Sequence, residues 1–189
     1  LKNSCPDIII SVDTIHPETI VKALDSGADI LNNVASPEVF APVFDVLKEY
    51  RTPIVITHSD CVPPIAVTED FDGDIVDYIF KFFAEKMRYF DSIGLGENLP
   101  ILDVGIGFGK SINDQFELIK RADEFSTLNC PILYGISRKS FISKTFGLDN
   151  RDEITKIYAQ HLISKNVNIL RVHDVKGHSD LLKYLEKIR

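Results

Sequence analysis

The sequence predicts an α/β fold, a parallel sheet assembled from six successive strand–helix units. Three observations carry this. Short apolar, β-rich runs recur at 8–13, 29–32, 53–58, 101–105, 131–136 and 169–174. Longer segments with helical periodicity fill the gaps between them. No linker, low-complexity tract or charge block interrupts the alternation. Apolar runs of this length suit strands buried on both faces, and strict alternation of the two element types implies right-handed crossovers.

The helices follow in order. The first is expected over about 17–26, with Pro17 at its start and Gly27 just past its end, the preferred places for both residues. The second covers about 37–50. The third, about 74–93, is the clearest, because Ile75, Ile79, Phe82, Met87 and Phe90 mark one apolar face, which reads as core packing. Later helices are expected over about 113–125, 139–146, 152–165 and 179–187. The 189 residues fit one domain, 1–189. Periodicity alone leaves two architectures open, an open doubly wound sheet and a closed barrel. A complete eight-unit barrel takes about 250 residues, and at this spacing the chain is two units short of one.

Composition narrows the function classes. The chain is 44% hydrophobic and 26% charged, with a formal net charge of −7. A general nucleic-acid or membrane-surface binder needs a basic field, which this chain lacks. No apolar run is long enough to span a bilayer, and no signal-peptide pattern opens the chain. Cys5, Cys61 and Cys130 are odd in number and widely spaced, so they read as free thiols in a reducing, cytoplasmic setting. The first residue is Leu, not Met, so position 1 need not be a natural start.

Polar residues fall where the apolar runs end. The runs end, in order, in Asp13, Asn32, His58, Asp103 and Ser137-Arg138-Lys139, and the last carries Arg171 and His173. These last two are two apart, so on a strand they would share a face. In parallel α/β folds the C-terminal strand ends lie on one side of the molecule, where ligands bind. Any one of these residues could be only a cap or a turn former. All six strand ends together point to a site.

The glycine-rich segment 103–111 matches neither standard phosphate loop. A P-loop would need Gly at Val104, and a dinucleotide fingerprint would need Gly at Lys110. The glycines instead suit a tight loop with close backbone approach to a ligand, and Phe108 at its centre could pack against a flat ring. Ser137-Arg138-Lys139-Ser140 opens a short helix, whose N-terminus favours an anion. With Arg171 and His173 it makes a cationic corner in an acidic protein.

Five motifs resemble the dihydropteroate synthases in order and spacing: Ile-Ser-Val-Asp-Thr (10–14), Gly-Ala-Asp-Ile-Leu-Asn (27–32), Asp-Val-Gly-Ile-Gly-Phe-Gly-Lys (103–110), Gly-Ile-Ser-Arg-Lys-Ser (135–140) and Arg-Val-His-Asp-Val (171–175). The first two are shared with pterin-binding methyltransferases; the last three together are specific to the synthases. The resemblance implies a TIM-like (β/α)8 barrel, incomplete at its N-terminus, and condensation of a dihydropterin methyl diphosphate with 4-aminobenzoate. It implies that Asp13, Asn32, Asp103 and Lys139 hold the pterin, with Asp13 and Lys139 catalytic. Arg171 and His173 would hold the diphosphate, and Phe108 and Ser140 would border the aminobenzoate. It further implies Mg²⁺ as cofactor, with the usual ligand Asn upstream of Leu1, and a homodimer through late helices.

The sequence departs from that family pattern at Val104, where the family usually has Pro, and over 57–63, where the family commonly places a Met on each side of His58 and an Arg-Gly after. It also lacks the family's first two strand–helix units. Alternatives are a pterin-binding methyltransferase-like domain, with little use for Lys139, Arg171 and His173 as an anion site, and a non-catalytic remnant. His16, His161 and His178 are expected to be solvated or capping residues.

Overall fold

The computed structural model describes residues 2–33, 37–60, 67, 69–95, 100–147 and 149–188, with the backbone alone for 33 and 37–42. The expectation for Cys61, and those for Val62 and Pro63, lie outside the described residues. Among the described residues the strands are β1 (Ser11–Asp13), β2 (Ile30–Asn33), β3 (Ile54–Thr57), β4 (Ile101–Asp103), β5 (Ile132–Tyr134) and β6 (Ile169–Leu170). The α-helices are α1 (Pro17–Asp25), α2 (Pro37–Tyr50), α3 (Ile75–Ser92), α4 (Ile112–Lys120), α5 (Ser140–Phe146), α6 (Arg151–Ser164) and α7 (Val175–Ile188).

Strand order resolves the open choice of architecture. All five pairings are parallel and the order is β1-β2-β3-β4-β5-β6. A doubly wound sheet reverses direction at a switch point. Here the chain always steps the same way, so right-handed crossovers put every helix on one face. The result is six units of a barrel wall.

The two faces of this wall differ. Leu31, Ile54, Ile56, Leu102, Ile132 and Tyr134 join the helices in the large core. The alternate residues Val55, Ile101 and Leu133, with Ile30 and Ile169 against them, form a small second cluster on the inner face. The period of two along each strand makes this division. Tyr134 is fully buried, and its hydroxyl donates to the Leu118 carbonyl at 2.7 Å.

The helices begin where capping residues permit. Asp74 caps α3 by accepting from the Val76 and Asp77 amides. Ser111 and Asp114 close a reciprocal capping box on α4. The apolar face of α3 buries Val76 and Phe83 along with Ile75, Ile79 and Phe90, while Phe82 and Met87 are only partly buried. The helix expected over 113–125 stops at Lys120 and continues as a 3-10 helix, Ala122–Leu128. Cys5 is an exposed free thiol and Cys130 a buried one.

Three expectations are corrected. The last run contains only a two-residue strand, so Arg171 and His173 lie beyond β6, although the Arg171 amide extends the ladder by bonding to the Tyr134 carbonyl at 2.9 Å. Helix α7 starts at Val175, four residues earlier than its periodicity suggests. His178 is buried, not solvated, with Nδ1 2.8 Å from the Asp174 carbonyl one turn back.

Candidate functional site

Two residues past the inner apolar layer, the same strands present Asn32, Thr57 and Asp103. Parallel register keeps paired residues on one face, and the pairs Asp13↔Asn32, Asn32↔Val55, Thr57↔Asp103 and Asp103↔Leu133 connect all of them. The candidate site is therefore the C-terminal rim of the inner face.

Asp103 is its anchor and is fully buried. Its Oδ1 accepts from the Gly105 amide at 2.9 Å. Its Oδ2 lies 2.7 Å from Arg171 Nη2. That contact brings opposite charges together, but no N–H is aimed at the oxygen, so Oδ2 has no hydrogen bond among the described residues. A buried acceptor without a donor is rare and calls for an explanation. A ligand N–H would satisfy it.

The loop after Asp103 turns on glycines. Gly105 has φ +70°, and a β-carbon there would sit 1.9 Å from the His58 carbonyl oxygen. Gly107 has φ +83° and packs on the Lys139 side chain. These conformations are ones only glycine adopts freely. The loop carries Phe108 under the Lys139 ammonium, which stands 4.6 Å from the ring centroid. Phe108 thus already has a cation on its face.

Lys110 ends the loop and is buried. Its ammonium lies 3.0 Å from His58 Nδ1, 3.0 Å from the Phe108 carbonyl and 3.4 Å from the His58 carbonyl. Burial draws its pKa down to about 8, against the pull of Asp60, Asp103 and Asp114. Burial and the neighbouring Lys110 charge draw His58 down to about 3. His58 is therefore neutral at pH 7 and accepts at Nδ1 from Lys110. Its 3.8 Å approach to Asp60 is not an ion pair under those conditions.

The cationic corner forms, but with Arg138 outside it. Burial, then the Arg171 charge, lowers the pKa of Lys139, with Asp103 opposing. Ser137 Oγ accepts from the His173 amide at 3.2 Å and lies 2.9 Å from its Nδ1, so the hydroxyl orients the ring. Arg138, by contrast, faces away. It adopts φ +57° and forms a two-pronged pair with Asp152 on α6, both contacts 2.9 Å. Ser140 is the exposed first residue of α5. That helix has seven residues, and Lys139 at its N-cap makes no side-chain cap.

Asp13 and Asn32 form a looser pair. Asn32 Nδ2 donates to Asp13 Oδ2 at 2.9 Å, in an exposed setting. The structure thus brings together Asp103, Phe108, Lys139 and Arg171, sets His173 beside them through Ser137, and places Asp13 and Asn32 on the same rim. Lys110 and Thr57 are the residues that sequence reasoning did not single out as site members. The capping box at Ser111 was the available signal for Lys110, because it fixes the helix start and leaves the lysine in the loop.

Known proteins resemble this chain over most of its length. Residues 1–173 match the family described as pterin binding enzyme. A dihydropteroate synthase of Streptococcus pyogenes serotype M3 is 32% identical over 186 residues, covering 96% of this chain and 67% of that protein. Crystal structures of the Thermus thermophilus dihydropteroate synthase also superimpose. The complex with 4-aminobenzoate has TM-score 0.82 and 29% identity, covering 95% of this chain and 74% of that one. The complex with 6HMPPP has TM-score 0.83 and 28% identity, covering 96% and 71%.

Proposed function

The chain belongs to the pterin-binding enzymes and, among them, to the dihydropteroate synthases, and on that premise we propose the following reading of its site. The substrates are (7,8-dihydropterin-6-yl)methyl diphosphate and 4-aminobenzoate, and the products are 7,8-dihydropteroate and diphosphate. The observation that carries this is the fully buried Asp103 carboxylate on the rim, held by the Gly105 amide and set against the Arg171 cation.

Asp103 reads the N–H edge of the pterin, a contact that rejects rings lacking those donors. Asn32 adds an amide that can both donate and accept. Lys139 closes over the ring from the Phe108 side and contributes charge. Arg171 and His173 hold the diphosphate. The methylene C–O bond breaks and diphosphate leaves with the electron pair. Positive charge then grows on the methylene carbon, where the Asp13 carboxylate stabilises it. The amine nitrogen of 4-aminobenzoate attacks that carbon, and the nitrogen loses a proton. Phe108 and Ser140 border the aminobenzoate.

Magnesium accompanies diphosphates generally, held by one or two carboxylates and the phosphates themselves. No group of three His, Cys, Asp or Glu residues gathers among the described residues. The described residues therefore form no ligand cage of their own. The exposed apolar side chains Ile157 on α6 and Leu182, Tyr184 and Ile188 on α7 support a homodimer through these late helices. The odd number and wide spacing of the cysteines support a cytoplasmic setting.

The test is direct. The protein, given both substrates, is assayed for 7,8-dihydropteroate, and inorganic diphosphate is titrated against the pterin diphosphate. Turnover with competition supports the synthase. Pterin binding that diphosphate does not compete for would favour the methyltransferase-like alternative.

A further inference from the structure

Two buried polar atoms on the rim make no hydrogen bond among the described residues, and they are neighbours. One is Asp103 Oδ2; the other is Thr57 Oγ1. Thr57 ends β3, is 5% exposed, and is the register partner of Asp103 on β4. Adjacent strands stand about 4.8 Å apart and paired residues share a face, so the two groups lie side by side on the inner surface.

The obvious donors nearby are already committed. The Lys110 ammonium is directed at His58 Nδ1, the His58 carbonyl and the Phe108 carbonyl. His58 Nδ1 faces Lys110. Asp103 Oδ1 is taken by the Gly105 amide. Buried hydroxyls are hydrogen-bonded in the large majority of cases, so the partner of Thr57 is expected to come from the ligand.

The chemistry of the pair describes that ligand. The carboxylate oxygen only accepts, whereas the threonine hydroxyl both donates and accepts. A ligand must offer an N–H to Asp103 and, a strand spacing away, a ring nitrogen or carbonyl oxygen to Thr57. The edge of a pterin alternates such groups. We propose that Thr57 is a specificity-determining residue, hydrogen-bonding the pterin ring through its hydroxyl beside Asp103. The inference rests on the pterin-binding reading above and extends it to a position where the sequence departs from the family pattern.

Calorimetric titration of the protein with 6-hydroxymethyl-7,8-dihydropterin diphosphate, and separately with inorganic diphosphate, tests it. Thr57→Val exchanges the hydroxyl for a methyl of the same shape. It should weaken pterin diphosphate binding about tenfold and leave inorganic diphosphate binding unchanged. Thr57→Ser keeps the hydroxyl and should bind within about threefold of the parent. The unliganded Thr57→Val protein should melt no lower than the parent, since its buried hydroxyl has lost nothing but an unmet bond. Thr57→Val binding the pterin diphosphate within about twofold of a parent that does bind it overturns this inference alone. A parent that binds diphosphate but not the pterin compound overturns the pterin reading, and this inference with it.

Discussion

The two halves of the rim are built differently. From β3 to β6 the groups are buried or tied down. Asp103 is clamped by the Gly105 amide and the Arg171 charge, Lys110 pins the Phe108 carbonyl, and Ser137 holds His173. On β1 and β2, Asp13 and Asn32 share one exposed hydrogen bond. Fixed dipoles and donors discriminate between ligands because they need not reorganise on binding. The Asn32 bond engages Oδ2 of Asp13, and the carboxylate keeps its other oxygen for a charge that appears only during reaction. The rigid half is suited to recognition, and the loose half to the reaction itself.

The largest expected effect comes from breaking the rigid half at its tightest point. In Gly105→Ala the new carbon would meet the His58 carbonyl at 1.9 Å with the backbone at φ +70°. Neither can relax without moving the loop. Destabilisation of about 3 kcal/mol or more is expected, with loss of turnover, read from urea unfolding and the dihydropteroate assay.

The rigid half also carries a proton signature. His58 is held down to about 3 by burial and Lys110, against an ordinary value of 6.5. Between these values the unfolded chain binds a proton that the folded chain refuses. The His58 contribution to stability is therefore complete above pH 6.5 and is lost as pH drops from 6.5 towards 3, at up to ~1.4 kcal/mol per pH unit. His58→Gln should remove this component, so the difference between parent and variant in unfolding free energy across that window isolates it. Parallel pH curves for the two proteins would contradict a buried neutral imidazole.

Paired carboxylate variants set the halves directly against each other. Asp103→Asn places an amide where an acceptor must face a ligand N–H, and should weaken pterin binding about a hundredfold. Asp13→Asn should leave pterin affinity within about threefold and lower turnover about tenfold or more. Equal loss of affinity and turnover at Asp13 would show that both halves recognise the ligand.

A subtler change tests the anion corner without touching a charged residue. A β-carbon at Gly135 would lie 2.6 Å from Arg171 Nη2. That atom is the far end of a half-exposed, flexible side chain, but it also stands 2.7 Å from the buried Asp103 carboxylate, so Gly135→Ala should displace the guanidinium at a measurable cost in stability. Diphosphate affinity should fall about tenfold, read by calorimetric titration. An unchanged affinity would remove Arg171 from the anion site.

How legible this was in the sequence follows from the physics of each residue. The alternation of runs was readable because strand and helix periods differ. Asp13, Asn32 and Asp103 were readable because polar groups at strand ends interrupt apolar runs. Barrel against open sheet was not readable from periodicity, because the direction of each crossover is set by packing between elements distant in sequence. Lys110 was missed because lysine is almost never buried unless paired, and its partners, His58 and the Phe108 carbonyl, meet only after the loop closes. Thr57 opens the segment where the sequence departs from the family pattern, but nothing in the sequence marks its hydroxyl as a contact, because threonine within a strand reads as a strand former.

Arg138 is the instructive error, and it gives the smallest prediction. Side by side in sequence, Arg138 and Lys139 read as one cationic patch. A left-handed backbone at Arg138 separates them. The arginine turns out to Asp152, and the lysine turns in over Phe108. No side-chain pattern announces that φ, which non-glycine residues adopt only occasionally. The Arg138–Asp152 pair is 45% and 36% exposed, and solvent-exposed pairs of this kind contribute about 0–1 kcal/mol. Arg138→Ala should therefore shift unfolding free energy by less than about 1 kcal/mol and leave kcat/KM within about twofold of the parent. Lys139→Ala, one position on, removes a charge from the rigid half and should reduce kcat/KM at least about tenfold. If both alanine variants lost activity alike, the backbone turn would not separate the two cations, and the boundary drawn here around the rigid half would have to include α6.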